Sequence, residues 1–205
     1  DGSNNATVAN GILTITAKRE ATGGSPFSSA KLVTLGKYSR TYGKFEARMR
    51  MPKGVGMWPA FWMLSTKNDW PMTGEIDIME YRGDQPRVEH GTLHYGQPWP
   101  NNRYDGTTIT HTADLDLDYH LYTVEWTADY IKWFLDGALF KTETRDPNSL
   151  SPANNNTANL WPWNDDFYII LNLAVGGGFC GNPTEAQIQL TKPTFEIDYV
   201  RVYEP

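Results

Sequence analysis

The chain has 205 residues and a mass of 23.2 kDa, enough for one sizeable core, and all-β sandwiches of this length commonly form a single domain. Its net charge of -6 without a Lys or Arg run argues against nucleic acid as a partner, and no apolar run reaches the ~18 residues of a membrane span. Eight Trp and eleven Tyr exceed what such a core needs, and many lie beside Gly, Pro and Asn, where they could line a groove.

In chain order, the predicted strands are rich in β-branched and aromatic residues. The first are Ile12 to Ala17, Lys44 to Met51 and Glu75 to Glu80. The third carries three acids in Gly74-Glu75-Ile76-Asp77-Ile78-Met79-Glu80-Tyr81. Strict alternation places Glu75 and Asp77 on one face and turns Glu80 to the other. A β-bulge at Met79 resets that parity and puts all three on one face. With the bulge, Glu75 and Glu80 are roughly 13 Å apart at Cα, and inward-leaning side chains bring their carboxyl groups to roughly 5 Å, the separation of a retaining glycosidase pair. Crowding of three acids pushes at least one pKa upward and supplies a protonated acid beside an ionised nucleophile.

Further strands are expected at Val88 to Tyr95, His120 to Trp126, Tyr130 to Leu135 and Ala138 to Thr142, with Asp136-Gly137 as a type I′ hairpin turn. A short helical turn is expected near Asn148 to Asn154, followed by strands at Phe167 to Ala174 and Thr194 to Tyr203. Alternation puts Phe167, Ile169, Leu171 and Leu173 on one face and Tyr168, Ile170, Asn172 and Ala174 on the other. No repeat or linker divides the chain, so the expectation is one antiparallel two-sheet sandwich over residues 1–205. The lone Cys180 excludes an internal disulfide and reads as a small buried apolar group. No signal peptide is visible, and a soluble monomer is expected.

At GEIDIME the chain resembles the laminarinase-like, endo-β-1,3-glucanase members of glycoside hydrolase family 16, whose catalytic signature is bulged. Ser28 to Leu64, GTLHYG, Tyr119 to Gly137, FYIILNLAVGG and FEIDYVRVY resemble the family in the same order, so the likeness covers essentially the whole chain. It implies a β-jelly-roll sandwich with a concave glycan cleft, Glu75 as nucleophile, Glu80 as general acid/base and Asp77 as their electrostatic partner. By motif position, Trp58, Trp62, Trp70 and Trp126 are assigned to stacking, with Arg48, His94 and Asn172 on sugar hydroxyls. A metal role for His94 is set aside, since no second His sits at ligand spacing.

The resemblance also implies a structural calcium ion on Asp198, no cofactor in the chemistry, and a secreted enzyme. Against the family pattern, the chain opens near NGILTITAKRE, so the N-terminal strand and part of the cleft are expected to be absent. GGGFCGNP lacks the Trp many relatives carry, so no stacking role is given to Phe179. The expected substrate is a laminarin-type β-1,3-glucan, with mixed-linkage glucan, agarose or carrageenan as the alternative. A non-catalytic β-glucan-binding module of this lineage would lack the glutamates.

Overall fold

The computed structural model describes residues 4–145 and 161–204. The helical turn expected near Asn148 to Asn154 lies outside the described residues. Thirteen strands are found among the described residues: β1 (Ala6–Ala9), β2 (Ile12–Thr16), β3 (Lys31–Val33), β4 (Gly43–Arg50), β5 (Met57–Ser65), β6 (Glu75–Tyr81), β7 (Val88–Gly96), β8 (Asn102–Thr110), β9 (His120–Trp126), β10 (Tyr130–Leu135), β11 (Ala138–Thr144), β12 (Phe167–Val175) and β13 (Thr194–Tyr203). They form a jelly-roll sandwich of two antiparallel sheets, with strand orders β1-β2-β13-β4-β9-β10-β11 and β3-β12-β5-β6-β7-β8. No helix among the described residues is long and apolar enough to cross a membrane.

Period-two alternation assigns the inner faces. Phe45, Ala47 and Met49 of β4 and Tyr122, Val124 and Trp126 of β9 meet Phe61 and Met63 of β5 and Phe167, Ile169, Leu171 and Leu173 of β12 in one core. Each such large apolar side chain contributes about 1.5–3 kcal/mol when fully removed from water, so a slip by one residue would invert the sheet at prohibitive cost. Asp136 and Gly137 take φ of 49° and 80° between β10 and β11, the two positive values a type I′ turn demands.

Four strands differ from the sequence expectation by being present: β1, β3, β5 and β8. In β5, Pro59 reads as a breaker, yet it stands opposite Leu173 on one side and beyond the last β6 pair, Ala60 with Glu80, on the other. Strand β8 is polar and holds Gly106, a composition that suits its place at the sheet edge. Cys180 is buried in a short 3-10 turn, and burial pushes its thiol up to about 11.

Candidate active site

The six-stranded sheet sets the site. Strand β6 pairs with β5 through Ala60–Glu80, Phe61–Met79 and Trp62–Asp77, leaving Ile78 without a partner. Against β7 the pairs run Asp77–Thr92 and then Glu80–His90, so Ile78 and Met79 together face Gly91. This is the bulge, and both of its side chains are buried in the core. Glu75, Asp77 and Glu80 consequently share the outer face.

Two indoles brace this strand through its backbone. Trp133 of β10 donates Nε1–H to the Asp77 carbonyl at 2.9 Å, and Trp163 donates to the Glu75 carbonyl at 3.1 Å. Both approaches need glycine. A Cβ on Gly91 would lie 2.8 Å from the Trp133 ring, and one on Gly74 would lie 2.8 Å from Trp163 Nε1. The role of these four residues is not visible in the sequence, because nothing in a strand pattern says which core indole crosses to the opposite sheet.

The acids differ in surroundings. Glu80 Oε1 accepts from Trp58 Nε1 at 3.1 Å, and Glu75 Oε2 accepts a short bond of 2.5 Å from Trp70 Nε1. Asp77 Oδ2 lies 3.4 Å from His94 Nε2, and the donor atoms of Glu75, Asp77 and His94 all fall within 4.8 Å of one another. Burial, then the charges of Glu75 and Glu80, hold Asp77 well above the usual carboxylate range, and it shares a hydrogen bond with Glu75. Burial raises Glu80 to about 7; the Trp58 bond opposes that shift and the Glu75 charge adds to it.

Two hollows of about 510 Å³ and 600 Å³ flank the acids, and Trp58, Glu75 and Glu80 line both. The first holds Trp62, whose Nε1 donates to Asn172 Oδ1 at 2.7 Å and whose ring lies under Lys31 Nζ at 4.7 Å. The second holds Trp70, His94 and Tyr104. Phe179, given no stacking role on sugar from the sequence, lines it too and stacks on Trp58 with centroids 4.9 Å apart. Tyr104 and Lys31 were missed in the sequence because β8 and β3 were not recognised as strands. The chain can thus hold a polymer on both sides of a proton-donating and a nucleophilic carboxyl group.

Two expectations fail. Trp126 is fully buried in the core, where its Nε1 bonds the Trp163 carbonyl at 3.1 Å, so it meets no sugar. Arg48 lies in β4 of the other sheet and is ion-paired with Asp198 at 2.8 Å, away from the cleft. The Arg48 guanidinium also covers Tyr119 at 4.6 Å.

Residues 1–166 match the family model described as glycosyl hydrolases family 16. A beta-glucanase of Rhodothermus marinus is 41% identical over 211 residues, spanning 97% of this chain and 70% of that protein. A glucan endo-1,3-beta-glucosidase of Cryptopygus antarcticus is 40% identical over 211 residues, 96% of this chain and 76% of its own length. The crystal structure of the laminarinase catalytic domain from Thermotoga maritima MSB8 superimposes with a TM-score of 0.84 at 35% identity, over 100% of this chain and 82% of that one. With a bulged acidic strand at the centre of a two-sided cleft and a match over most of its length, this chain belongs to glycosyl hydrolase family 16 and is a glycoside hydrolase.

Proposed function

We propose that the protein is a retaining endo-β-1,3-glucanase acting on laminarin-type β-glucans. One observation carries the reading: the bulge at Ile78–Met79 places Glu75, Asp77 and Glu80 on one strand face, where two hollows meet. A site in the middle of a cleft accommodates an internal bond, whereas exo action needs only one open side. The similarity to proteins named for β-glucan and β-1,3-glucan cleavage supports the choice of linkage.

In the first step a carboxylate oxygen of Glu75 attacks the anomeric carbon, forming an ester to the sugar, while Glu80 gives its proton to the departing glycosidic oxygen. A Glu80 pKa of about 7 keeps a large fraction protonated near neutrality. In the second step the Glu80 carboxylate takes a proton from water as that water attacks the same carbon, and Glu75 leaves. Two inversions return the β-configuration. Asp77, pushed well above the usual carboxylate range by burial and its neighbours, shares a hydrogen bond with Glu75 and steadies the charge that returns there. The step needs no cofactor, since the carboxyl groups supply nucleophile, acid and base.

Trp62 and the Trp58–Phe179 stack offer flat faces to sugar rings on the two sides of the acids, and Asn172 and His94 offer polar contacts to hydroxyls. A non-catalytic binding role would leave the elevated Glu80 without purpose. Because a polysaccharide is met outside the cell, the enzyme is taken to work there. Reducing-sugar release across laminarin, lichenan, agarose, carrageenan and xyloglucan tests the reading. Laminarin should give the fastest release; a faster rate on another polymer overturns the substrate, and no release from any overturns the catalytic role.

A further inference from the structure

Away from the cleft, three metal-capable side chains meet where the two sheets approach each other. His111 follows β8 of the six-stranded sheet, His120 opens β9 of the seven-stranded sheet, and Asp136 begins the β10–β11 turn. Their donor atoms all lie within 4.8 Å of one another. We propose that His111, His120 and Asp136 form a binding site for a borderline transition ion, Zn²⁺, that staples the two sheets together and plays no part in glycan cleavage.

The carboxylate is fixed before any ion arrives. Asp136 donates its N–H to the Leu121 carbonyl at 2.9 Å, and its Oδ1 accepts the Leu121 N–H at 2.8 Å. That leaves Oδ2 directed at both imidazoles, 2.7 Å from His120 Nδ1 and 3.9 Å from His111 Nε2. Zinc with ligands at 2.0–2.1 Å in tetrahedral geometry requires ligand separations of about 3.3–3.4 Å. The two observed distances straddle that value, so small side-chain rotations suffice.

The second shell also suits a metal. His111 Nδ1 lies 3.1 Å from the Ala113 carbonyl and 3.2 Å from the Ala113 N–H, so the ring can take either tautomer, and the one that donates to the carbonyl turns the Nε2 lone pair toward Asp136. His120 Nδ1 now lies 2.7 Å from Asp136 Oδ2; in the tautomer that carries its proton on Nε2, the Nδ1 lone pair is free to bind the ion and the imidazole stays neutral. The side chains of His111 and Asp136 are 27% and 42% exposed, which gives an ion a way in and a place for water as a fourth ligand. Two imidazoles and one carboxylate favour zinc over the hard, oxygen-seeking calcium.

The test uses the full chain after chelator treatment, with ZnCl₂ as the only added metal. Calorimetric titration should give tight, one-to-one binding, and Zn²⁺ at about a hundredfold over Kd should raise Tm by roughly 5–10 °C. His111→Ala and Asp136→Asn should each weaken that binding by at least about tenfold and remove the shift in Tm. Asn keeps the turn at position 136, and His111 stands outside the strands, so the metal-free Tm of each variant reports whether folding is intact. Absence of binding, or binding and stabilisation that survive in both variants, overturns the proposal; the latter places the ion elsewhere, for instance at Glu75, Asp77 and His94.

Discussion

On the outer face of the seven-stranded sheet three acids sit against cations: Asp198 with Arg48, Glu196 with Arg50 and Glu46 with Lys44. On the outer face of the six-stranded sheet, Glu75, Asp77 and Glu80 have only indoles, an imidazole and one another. Burial pushes Glu196 and Glu80 in the same direction. Hydrogen bonds from Tyr119 and Arg50 then bring Glu196 below the usual range, while Glu80 keeps its rise to about 7 because a neutral indole compensates only in part and Glu75 adds negative charge. The two faces teach that burial raises a strand carboxyl group on either sheet, and that a cation with a donating hydroxyl reverses the rise at Glu196 where no cation does so at Glu80.

The sharpest way to break this contrast is to remove acids from one face and cations from the other. Glu75→Ala and Glu80→Ala should each lower kcat by about 10³-fold or more with little change in Tm, since each acts in a covalent or proton-transfer step. Arg48→Ala should leave kcat within about twofold and cost at most about 1 kcal/mol of stability, as expected for an exposed ion pair. Steady-state kinetics and melting curves on the three variants decide it. Asp77→Asn comes next. It removes a carboxyl group that shares a hydrogen bond with Glu75, so kcat should fall by about 10²-fold and the pH profile should move, as a pH series of kcat would reveal.

Smaller effects sharpen the same comparison. Trp62→Ala should raise KM by about tenfold through lost stacking, with kcat reduced less and Tm preserved because the ring lies in the cleft. Trp58→Phe tests the indole bond itself. That bond lowers the Glu80 pKa, so its loss should move the pKa upward; Glu80 acts as the acid while protonated, so the alkaline limb of kcat/KM should shift to higher pH. A limb that stays put or moves down removes Trp58 from the control of Glu80.

Much of the site was legible because one anomaly in one strand carried it. The five-residue spacing from Glu75 to Glu80 fits a single face only with an extra residue, and the register does skip one at Ile78–Met79. The misplacement of Arg48 and Trp126 has the opposite cause. Alternation divides a strand into two faces but does not say which sheet the strand joins or which face looks inward, so β4 and β9 were credited to the cleft although they build the other sheet. Trp133 and Gly91 escaped because their contact joins the two sheets, and Trp163 and Gly74 because theirs joins a loop to the start of β6, both set by topology. Strand β5 was masked by Pro59 and β8 by its polarity, and the second concealed Tyr104 beside His94.

The central claim is that Glu75 and Glu80 form a retaining pair on one face of a bulged strand. Proton NMR of freshly cleaved laminari-oligosaccharide, recorded before mutarotation, tests it most directly. The account predicts that the new reducing end appears first as the β-anomer and only later equilibrates. First appearance of the α-anomer would contradict it, because an inverting pair stands roughly 6.5–9.5 Å apart with a water between, and Glu75 could not then be the nucleophile.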